Sequence, residues 1–110
     1  MVNLTRGDVY LVRLDPVFGS EMKKTRPCVI VSPDEIHRYL RTCIVAPLTS
    51  VLKNVDWRVP VYFADKNGEV TLDHIRSVDK RRLVKKLGRL SDKELEDVLQ
   101  QLVNMFESDA

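Results

Sequence analysis

The chain has 110 residues, no linker rich in Gly, Pro or Ser, and a formal net charge of +2 at pH 7. This length accommodates one modest core, so we predict a single domain over residues 1–110 and expect no second one. No apolar run reaches the roughly 20 residues that span a bilayer, and the N-terminus lacks the apolar stretch of a secretory signal. We therefore expect a cytoplasmic protein without a membrane partner.

The charges are unevenly distributed along the chain. Residues 1–90 hold 17 Lys and Arg against 10 Asp and Glu, whereas residues 91–110 hold 1 against 6. A basic body favours phosphate contacts, although a mixed solvated surface gives similar numbers. Charge supports nucleic-acid binding without identifying it.

The first predicted elements are two strands that flank a charged loop. Val9–Leu14 and Cys28–Val31 are rich in aliphatic residues and are bounded by Gly, Pro and Asp. The loop ends at Arg26-Pro27 and combines aromatic, hydroxyl, acidic and basic side chains: Phe18, Ser20, Glu21, Lys23 and Lys24. This mixture is suited to binding a polyanion.

A short helix and a third strand follow. Ser32 as a helix cap, Pro33 in the first turn and Glu35 three residues after the cap predict a helix to about residue 40. Arg41–Pro47 reads as an apolar strand. Because proline cannot donate to a ladder, we expect regular pairing to end there and Thr49 to lie at a strand end.

The next segments predict more short strands, about five in all. Trp57–Phe63 is strand-like, Lys66–Gly68 reads as a turn, and Val70–Ile75 reads as a further extended segment. The basic run Lys80–Lys86 is interpreted as a solvated helical turn, with neighbouring Leu and Val side chains as its buried face.

The C-terminal segment has helical periodicity. Ser91 and Glu94 form a capping box. Apolar residues recur at helical spacing: Leu95, Val98, Leu99, Leu102, Val103 and Phe106. We predict an amphipathic helix packed on the sheet, and therefore a small barrel or a strongly curved sheet.

Six segments in order carry a family resemblance: RGDVY, LDP, GSE, TRPCVIVS, VAPLTS and LDHIRSVDKRRL. Together they resemble the MazF/PemK family of toxin endoribonucleases, over nearly the whole chain, and their ordered succession is more specific than any one motif. The resemblance implies a mainly β fold with α: a small SH3-like barrel of the CcdB/MazF/PemK type with the C-terminal amphipathic helix packed on it.

The resemblance also implies an activity and partners. The expected protein is a homodimeric toxin of a toxin-antitoxin system that cleaves single-stranded RNA or mRNA selectively, without a metal, and leaves a 2′,3′-cyclic phosphate. A cognate antitoxin is the expected protein partner, and operator DNA would be bound only together with the antitoxin.

The catalytic candidates are Arg26, Thr49 and Glu21. The family uses the arginine of its RP pair and the threonine of the segment matching APLT, which are Arg26 and Thr49 here. A guanidinium matches phosphate oxygens and stays charged, and a hydroxyl can orient the phosphate. Glu21 either positions Arg26, accepts a proton or is an exposed loop carboxylate. Without the resemblance, a salt bridge from Arg26 to Glu21 or Asp73 is the preferred reading.

The candidate RNA-binding residues surround this pair: Phe18, Ser20, Lys24, Ser50, Lys53, Asp73 and His74. Phe18 is expected to stack on a base, with Trp57 as a second candidate, although a lone tryptophan is more often in the core. His74 stands where the family more commonly has glutamine, which leaves the general base unassigned.

No metal or cofactor is expected, because two separated cysteines and two histidines do not make a zinc pattern. Cys28 and Cys43 are expected to be buried free thiols. Two other functional classes stay open: a CcdB-like topoisomerase poison without enzymatic activity, and a barrel that only binds RNA or protein. Incubation with a defined RNA separates them from the nuclease.

Overall fold

An antiparallel sheet, one short helix and one long helix make up the described part of the chain. A computed structural model of the chain describes residues 3–14 and 24–108. The strands are β1 Asp8–Leu14, β2 Lys24–Ile30, β3 Thr42–Thr49, β4 Arg58–Phe63, β5 Lys66–Thr71, β6 Arg76–Asp79 and β7 Leu83–Arg89. The helices are α1 Asp34–Tyr39 and α2 Asp92–Phe106, and 3₁₀ turns cover Leu72–His74 and Lys80–Arg82. No helix in these ranges is long and apolar enough to cross a bilayer.

The strand order is β4-β5-β3-β2-β1-β7, with β6 paired to the first half of β3. The two outer strands, β4 and β7, approach each other through a side chain: a Cβ built at Gly88 would lie 3.2 Å from two carbons of the Phe63 ring. In the described ranges no ladder joins these two strands. The predicted mainly β fold with a C-terminal helix is confirmed. The predicted barrel is an open, curved sheet in the described residues, because no backbone hydrogen bonds join β4 to β7 there.

Strand β3 continues through Pro47, so the prediction that pairing ends there is wrong. One side of β3 pairs with β6 over residues 42–45 and then with β5 at Leu48 and Thr49. Pro47 lies between these two stretches, and its carbonyl accepts a hydrogen bond from Thr71 Oγ1 at 2.9 Å. Its missing N–H therefore costs no ladder bond. Thr49 is the last residue of β3, as predicted.

The core has two layers because both faces of β1 and β2 are buried. Val9 and Val29 pack in the layer that includes Val98 of α2, whereas Tyr10 and Cys28 pack in the other layer. Successive residues of a strand point to opposite faces, so two buried faces produce the unbroken apolar runs seen in the sequence.

Both cysteines are buried free thiols, which confirms the prediction. Burial raises the pKa of Cys28 to about 12 and that of Cys43 to about 11. Because the thiolate is the reactive form, both side chains act here as small hydrophobic groups.

The long helix begins at the predicted capping box and is also tied to the sheet. Ser91 Oγ accepts from the Glu94 N–H at 3.1 Å, and a Glu94 carboxylate oxygen accepts from the Ser91 N–H at 3.1 Å. The other Glu94 oxygen accepts from the Tyr62 N–H at 2.7 Å.

The exposed edge of outer strand β4 offers few backbone donors. The Tyr62 N–H bonds to Glu94, Pro60 lacks an N–H, and the Arg58 N–H bonds to the Val55 carbonyl. Free donors along outer strand β4 are therefore largely removed, which discourages pairing with another chain.

Helix α1 exists as predicted, but Ser32 does not cap it. The Ser32 hydroxyl lies 2.6 Å from His37 Nε2 and accepts from the Ile44 N–H at 3.0 Å. His37 Nδ1 faces the Leu4 carbonyl at 3.1 Å, so Nδ1 carries a hydrogen and donates it to that carbonyl. His37 is therefore buried and in contact with Ser32, the residue before the helix start.

Two further boundaries differ from the predictions. The turn predicted at Lys66–Gly68 lies two residues earlier, at Ala64 and Asp65, which have φ of 53° and 62° and join the pair Phe63 and Lys66. The Asn67-Gly68 dipeptide, which is typical of a turn, lies inside β5 here. The basic run ends in a strand, β7, rather than in a helical face.

Buried Asp8 connects the start of β1 to the end of β7. One carboxylate oxygen accepts from the Thr5 N–H at 3.1 Å, and the other lies 3.2 Å from Arg89 Nη1 and 3.4 Å from Lys86 Nζ. The Asp8 side chain is only 2% exposed, whereas those of Lys86 and Arg89 are about half exposed. The carboxylate therefore depends on these donors for compensation of its lost hydration.

Replacement of Asp8 with Ala should lower the free energy of unfolding by about 2–4 kcal/mol, because the backbone donor and both cations lose their acceptor. Urea denaturation at pH 7 measures this loss. Exposed Glu96→Ala on α2 is the matched control, and it should change stability by less than about 0.5 kcal/mol. Equal stability of the two variants would refute the role of Asp8.

Candidate active site

Arg26 and Thr49 are brought together by the pairing of β2 with β3. The ladder pairs Cys28 with Pro47, Val29 with Ala46 and Ile30 with Val45. Continuing this register by two residues places Arg26 opposite Thr49. Directly opposite residues of an antiparallel pair have neighbouring side chains on one face. The guanidinium and the hydroxyl predicted from the sequence therefore share one end of one face.

Two surface hollows meet at this pair. The larger, which we call the apolar hollow, has a volume of about 660 Å³ and lies between Pro27, Leu48, Phe63 and Leu87. The smaller, which we call the cationic hollow, has a volume of about 280 Å³, and its lining includes Arg58, His74 and Arg76. Arg26, Leu48 and Thr49 line both. The pair thus forms part of the wall between an apolar and a basic space.

Thr49 is prepared to donate a hydrogen bond. Its Oγ1 accepts from the Val51 N–H at 3.1 Å, and the residue is partly exposed. This contact leaves the hydroxyl hydrogen to donate to a ligand. A phosphate or carboxylate oxygen placed between Thr49 and Arg26 would receive donors from both.

The alternative salt bridge from Arg26 to Asp73 is not formed. Both Asp73 carboxylate oxygens instead accept from Arg58, from Nε and Nη2 at 3.1 Å each. These bonds hold the pKa of Asp73 below its usual value and raise that of Arg58. Asp73 is therefore a charged partner that orients Arg58, and its low pKa makes it a poor proton acceptor.

His74 lies in the cationic hollow beside the same carboxylate. Its Nε2 is 3.4 Å from Asp73 Oδ2, and its side chain is 64% exposed. A solvated imidazole at the rim of a basic hollow can contact an anionic ligand or exchange a proton with it. The structure thus places His74 in the cationic hollow that Arg26 also lines, whereas Asp73 lines neither hollow and is connected to the site through Arg58 and His74.

The remaining sequence candidates have different positions. Ser50 lines the apolar hollow, whereas Lys53 is exposed on the following loop and lines neither hollow. The backbone of Lys24 forms the start of β2. Three candidates lie outside the described residues: Phe18, Ser20 and Glu21. Trp57 is 46% exposed, against the core position favoured for a lone tryptophan.

A buried carboxylate that the sequence reasoning missed holds the loop after Thr49. Glu69 is 2% exposed, and its two oxygens accept from the Lys53 N–H at 3.0 Å and the Asn54 N–H at 3.1 Å. Asn54 has φ of 55°, so this contact stabilises a left-handed residue. In the sequence, the position of this charged residue between Gly68 and the apolar Val70 was the signal that could have indicated a buried carboxylate.

Gly68 allows β5 to approach the end of β3 closely. A Cβ at this position would lie 2.7 Å from the Thr49 carbonyl oxygen, a backbone atom that cannot yield as a flexible side chain can. The adjacent residues Gly68 and Glu69 therefore define the backbone at Thr49 and the path of the chain after it.

Residues 5–106 match the family model of the PemK-like, MazF-like toxins of type II toxin-antitoxin systems. This chain belongs to that family. A relative of this toxin, the Endoribonuclease MazF of Staphylococcus saprophyticus subsp. saprophyticus, is 41% identical over 86% of this chain and 84% of the relative.

Solved structures of similar fold support the architecture of this toxin. MazF from Deinococcus radiodurans has a TM-score of 0.81 at 24% identity, covering 98% of this chain and 100% of that one. An endoribonuclease in complex with its cognate antitoxin, from a mycobacterial species, has a TM-score of 0.76 at 24% identity, covering 92% of each chain. At these identities the two structures establish the fold alone.

Glu69→Gln should loosen the loop that follows Thr49, because the amide nitrogen of Gln cannot accept the second backbone N–H bond. We expect hydrogen exchange at the Lys53 and Asn54 amides to be at least about tenfold faster than in the wild type. Exchange followed by NMR measures the effect. Glu35→Gln, an exposed change on α1, is the control, and unchanged exchange in Glu69→Gln would refute the clamp.

Proposed function

We propose that this toxin is a metal-independent, sequence-selective endoribonuclease of single-stranded RNA, in which Arg26 and Thr49 act on the scissile phosphate. The observation that carries the proposal is the register of β2 and β3, which sets a guanidinium opposite a hydroxyl donor in the wall between two open hollows. The name of the Staphylococcus saprophyticus relative, Endoribonuclease MazF, supports the same activity.

The proposed reaction is an intramolecular transfer at phosphorus. The ribose 2′-oxygen loses its proton and attacks the adjacent phosphorus, while the bond to the 5′-oxygen breaks and that oxygen gains a proton. The products are a 2′,3′-cyclic phosphate and a 5′-hydroxyl. Negative charge increases on the non-bridging oxygens in the transition state, where the fork of N–H donors on Arg26 stabilises it and Thr49 orients the phosphate.

The proton acceptor we propose is Glu21, on the segment matching the family pattern GSE. Asp73 is a poor alternative because its bonds to Arg58 lower its pKa. His74 is assigned as an RNA contact in the cationic hollow, next to Arg58 and Arg76. A basic hollow on one side of the cleavage site is suited to the phosphate of a flanking nucleotide.

Arg26→Ala should reduce the rate of RNA cleavage by at least about 100-fold, because it removes the main charge that stabilises the transition state. Cleavage of a long single-stranded transcript, with mapping of the new ends, measures both rate and product. Arg81→Ala is the matched control, since that guanidinium is 91% exposed and pairs with Asp79. An Arg26→Ala protein that folds normally and cuts as fast as wild type would exclude the assignment.

We also propose a homodimer and a cognate antitoxin as protein partners, with operator DNA bound only by the complex with antitoxin. The mycobacterial endoribonuclease of the same fold is in complex with its cognate antitoxin. A basic site attracts an acidic segment that folds on binding, so antitoxin and RNA are expected to compete.

The toxin bound to its antitoxin should therefore cleave RNA at least about 100-fold more slowly than free toxin, and an excess of antitoxin should displace a non-cleavable RNA. Fluorescence anisotropy of the labelled RNA measures the displacement. Simultaneous tight binding of both partners would contradict a shared site.

A further inference from the structure

The apolar hollow is built differently from the phosphate position that it adjoins. Its walls are mostly apolar and include Pro27, Leu48, Phe63 and Leu87, while Arg26 and Thr49 stand at the side shared with the cationic hollow. The apolar part of this lining offers a phosphate no donors in exchange for its lost hydration, whereas the polar groups, which include Ser50, Lys66 and Asn67, make up the smaller part. The occupant should therefore be an apolar group covalently attached to the phosphate bound at Arg26 and Thr49.

A nucleobase has these properties. It has two apolar faces that stack on aromatic and aliphatic side chains and an edge that makes hydrogen bonds. Ser50 and Asn67 also line the hollow and can bond to such an edge. A base that enters the hollow must be unpaired, which agrees with a single-stranded substrate.

Phe63 is the aromatic ring in the described lining of this hollow. It is the last residue of β4 and lies against Gly88 of β7, where a Cβ would come within 3.2 Å of ring atoms Cε1 and Cζ. The ring is also partly buried against the core, so its position is restrained on more than one side. A restrained ring loses little conformational entropy when a base stacks on it.

We propose that the apolar hollow is the subsite for the base next to the scissile phosphate, and that stacking on Phe63 sets the base preference at this position. This inference rests on the proposed nuclease activity and adds a specificity determinant to it. The hollow lies at the seam where β4 and β7 approach without a ladder, so Leu87, 39% exposed on β7, forms the opposite rim.

The test compares Phe63→Leu with Tyr62→Leu on a random-sequence RNA library, with sequencing of the cleaved ends. Tyr62 is the neighbouring residue on β4 and is 60% exposed, so it controls for an aromatic-to-leucine change on the same strand. Phe63→Leu should lower cleavage of preferred sites at least about tenfold and flatten the base preference at one position beside the cut. Tyr62→Leu should leave both unchanged.

The outcomes separate the two proposals. Wild-type protein that neither cleaves nor binds RNA would overturn both the nuclease and the subsite. Normal cleavage by the wild type, with an unchanged base preference or an equal loss at every sequence in Phe63→Leu, would overturn the subsite alone. Weaker antitoxin binding with unchanged RNA preference would assign the hollow to an apolar side chain of the protein partner instead.

A second variant tests the same proposal in case Phe63→Leu does not fold. Leu87→Ala removes the exposed rim on the other strand, and melting temperatures verify that it is folded. It should change the base preference at the same position relative to the cut. A preference identical to the wild type would overturn the proposal even if Phe63→Leu cannot be purified.

Discussion

The register between β2 and β3 is the constraint on which the site depends. Three consecutive pairs, from Cys28 with Pro47 to Ile30 with Val45, establish it. A shift by one residue would move Val29 out of the layer that packs against α2 and move Cys28 and Ile30 into it, so the side chains of both layers would no longer fit their neighbours. The two buried layers thus oppose any slip, and the same energy that stabilises the core keeps Arg26 opposite Thr49.

The contacts around Thr49 continue this constraint from the core to the surface. Gly68 lets β5 lie close to the Thr49 carbonyl, and Glu69 holds the loop whose Val51 N–H bonds to the Thr49 hydroxyl. Burial of the Glu69 carboxylate is offset by two backbone donors. The backbone on both sides of the proposed hydroxyl donor is therefore defined by buried groups.

Charge on the surface is organised around the same wall. Asp73 orients Arg58 through two hydrogen bonds, so the cationic hollow includes a guanidinium that is already fixed before a ligand binds. The apolar hollow on the other side is lined mainly by apolar surface, with Lys66 and a few polar groups at the rest of its lining. One basic and one mainly apolar hollow side by side suit single-stranded RNA, because its phosphates need cations and its bases need apolar surface.

Local sequence signals succeeded where the interaction itself is local. The capping box of Ser91 and Glu94 joins residues three apart, and α2 begins there as predicted. Local rules failed where a distant partner decided the outcome: Ser32 bonds to His37 and Ile44 instead of capping α1, and β3 passes Pro47 because its neighbour changes there. The turn at Ala64 and Asp65 was missed because Asn67-Gly68 is the stronger local turn signal.

The sequence by itself determined the family, the mainly β class, the C-terminal helix and the candidate pair, because ordered motifs and hydrophobic periodicity are properties of neighbouring residues. Only the tertiary structure placed Arg26 opposite Thr49, paired Asp73 with Arg58, and assembled Phe63, Pro27 and Leu87 around one hollow. These arrangements join strands far apart in the chain. Pairing and packing between strands create them, and no short segment contains that information.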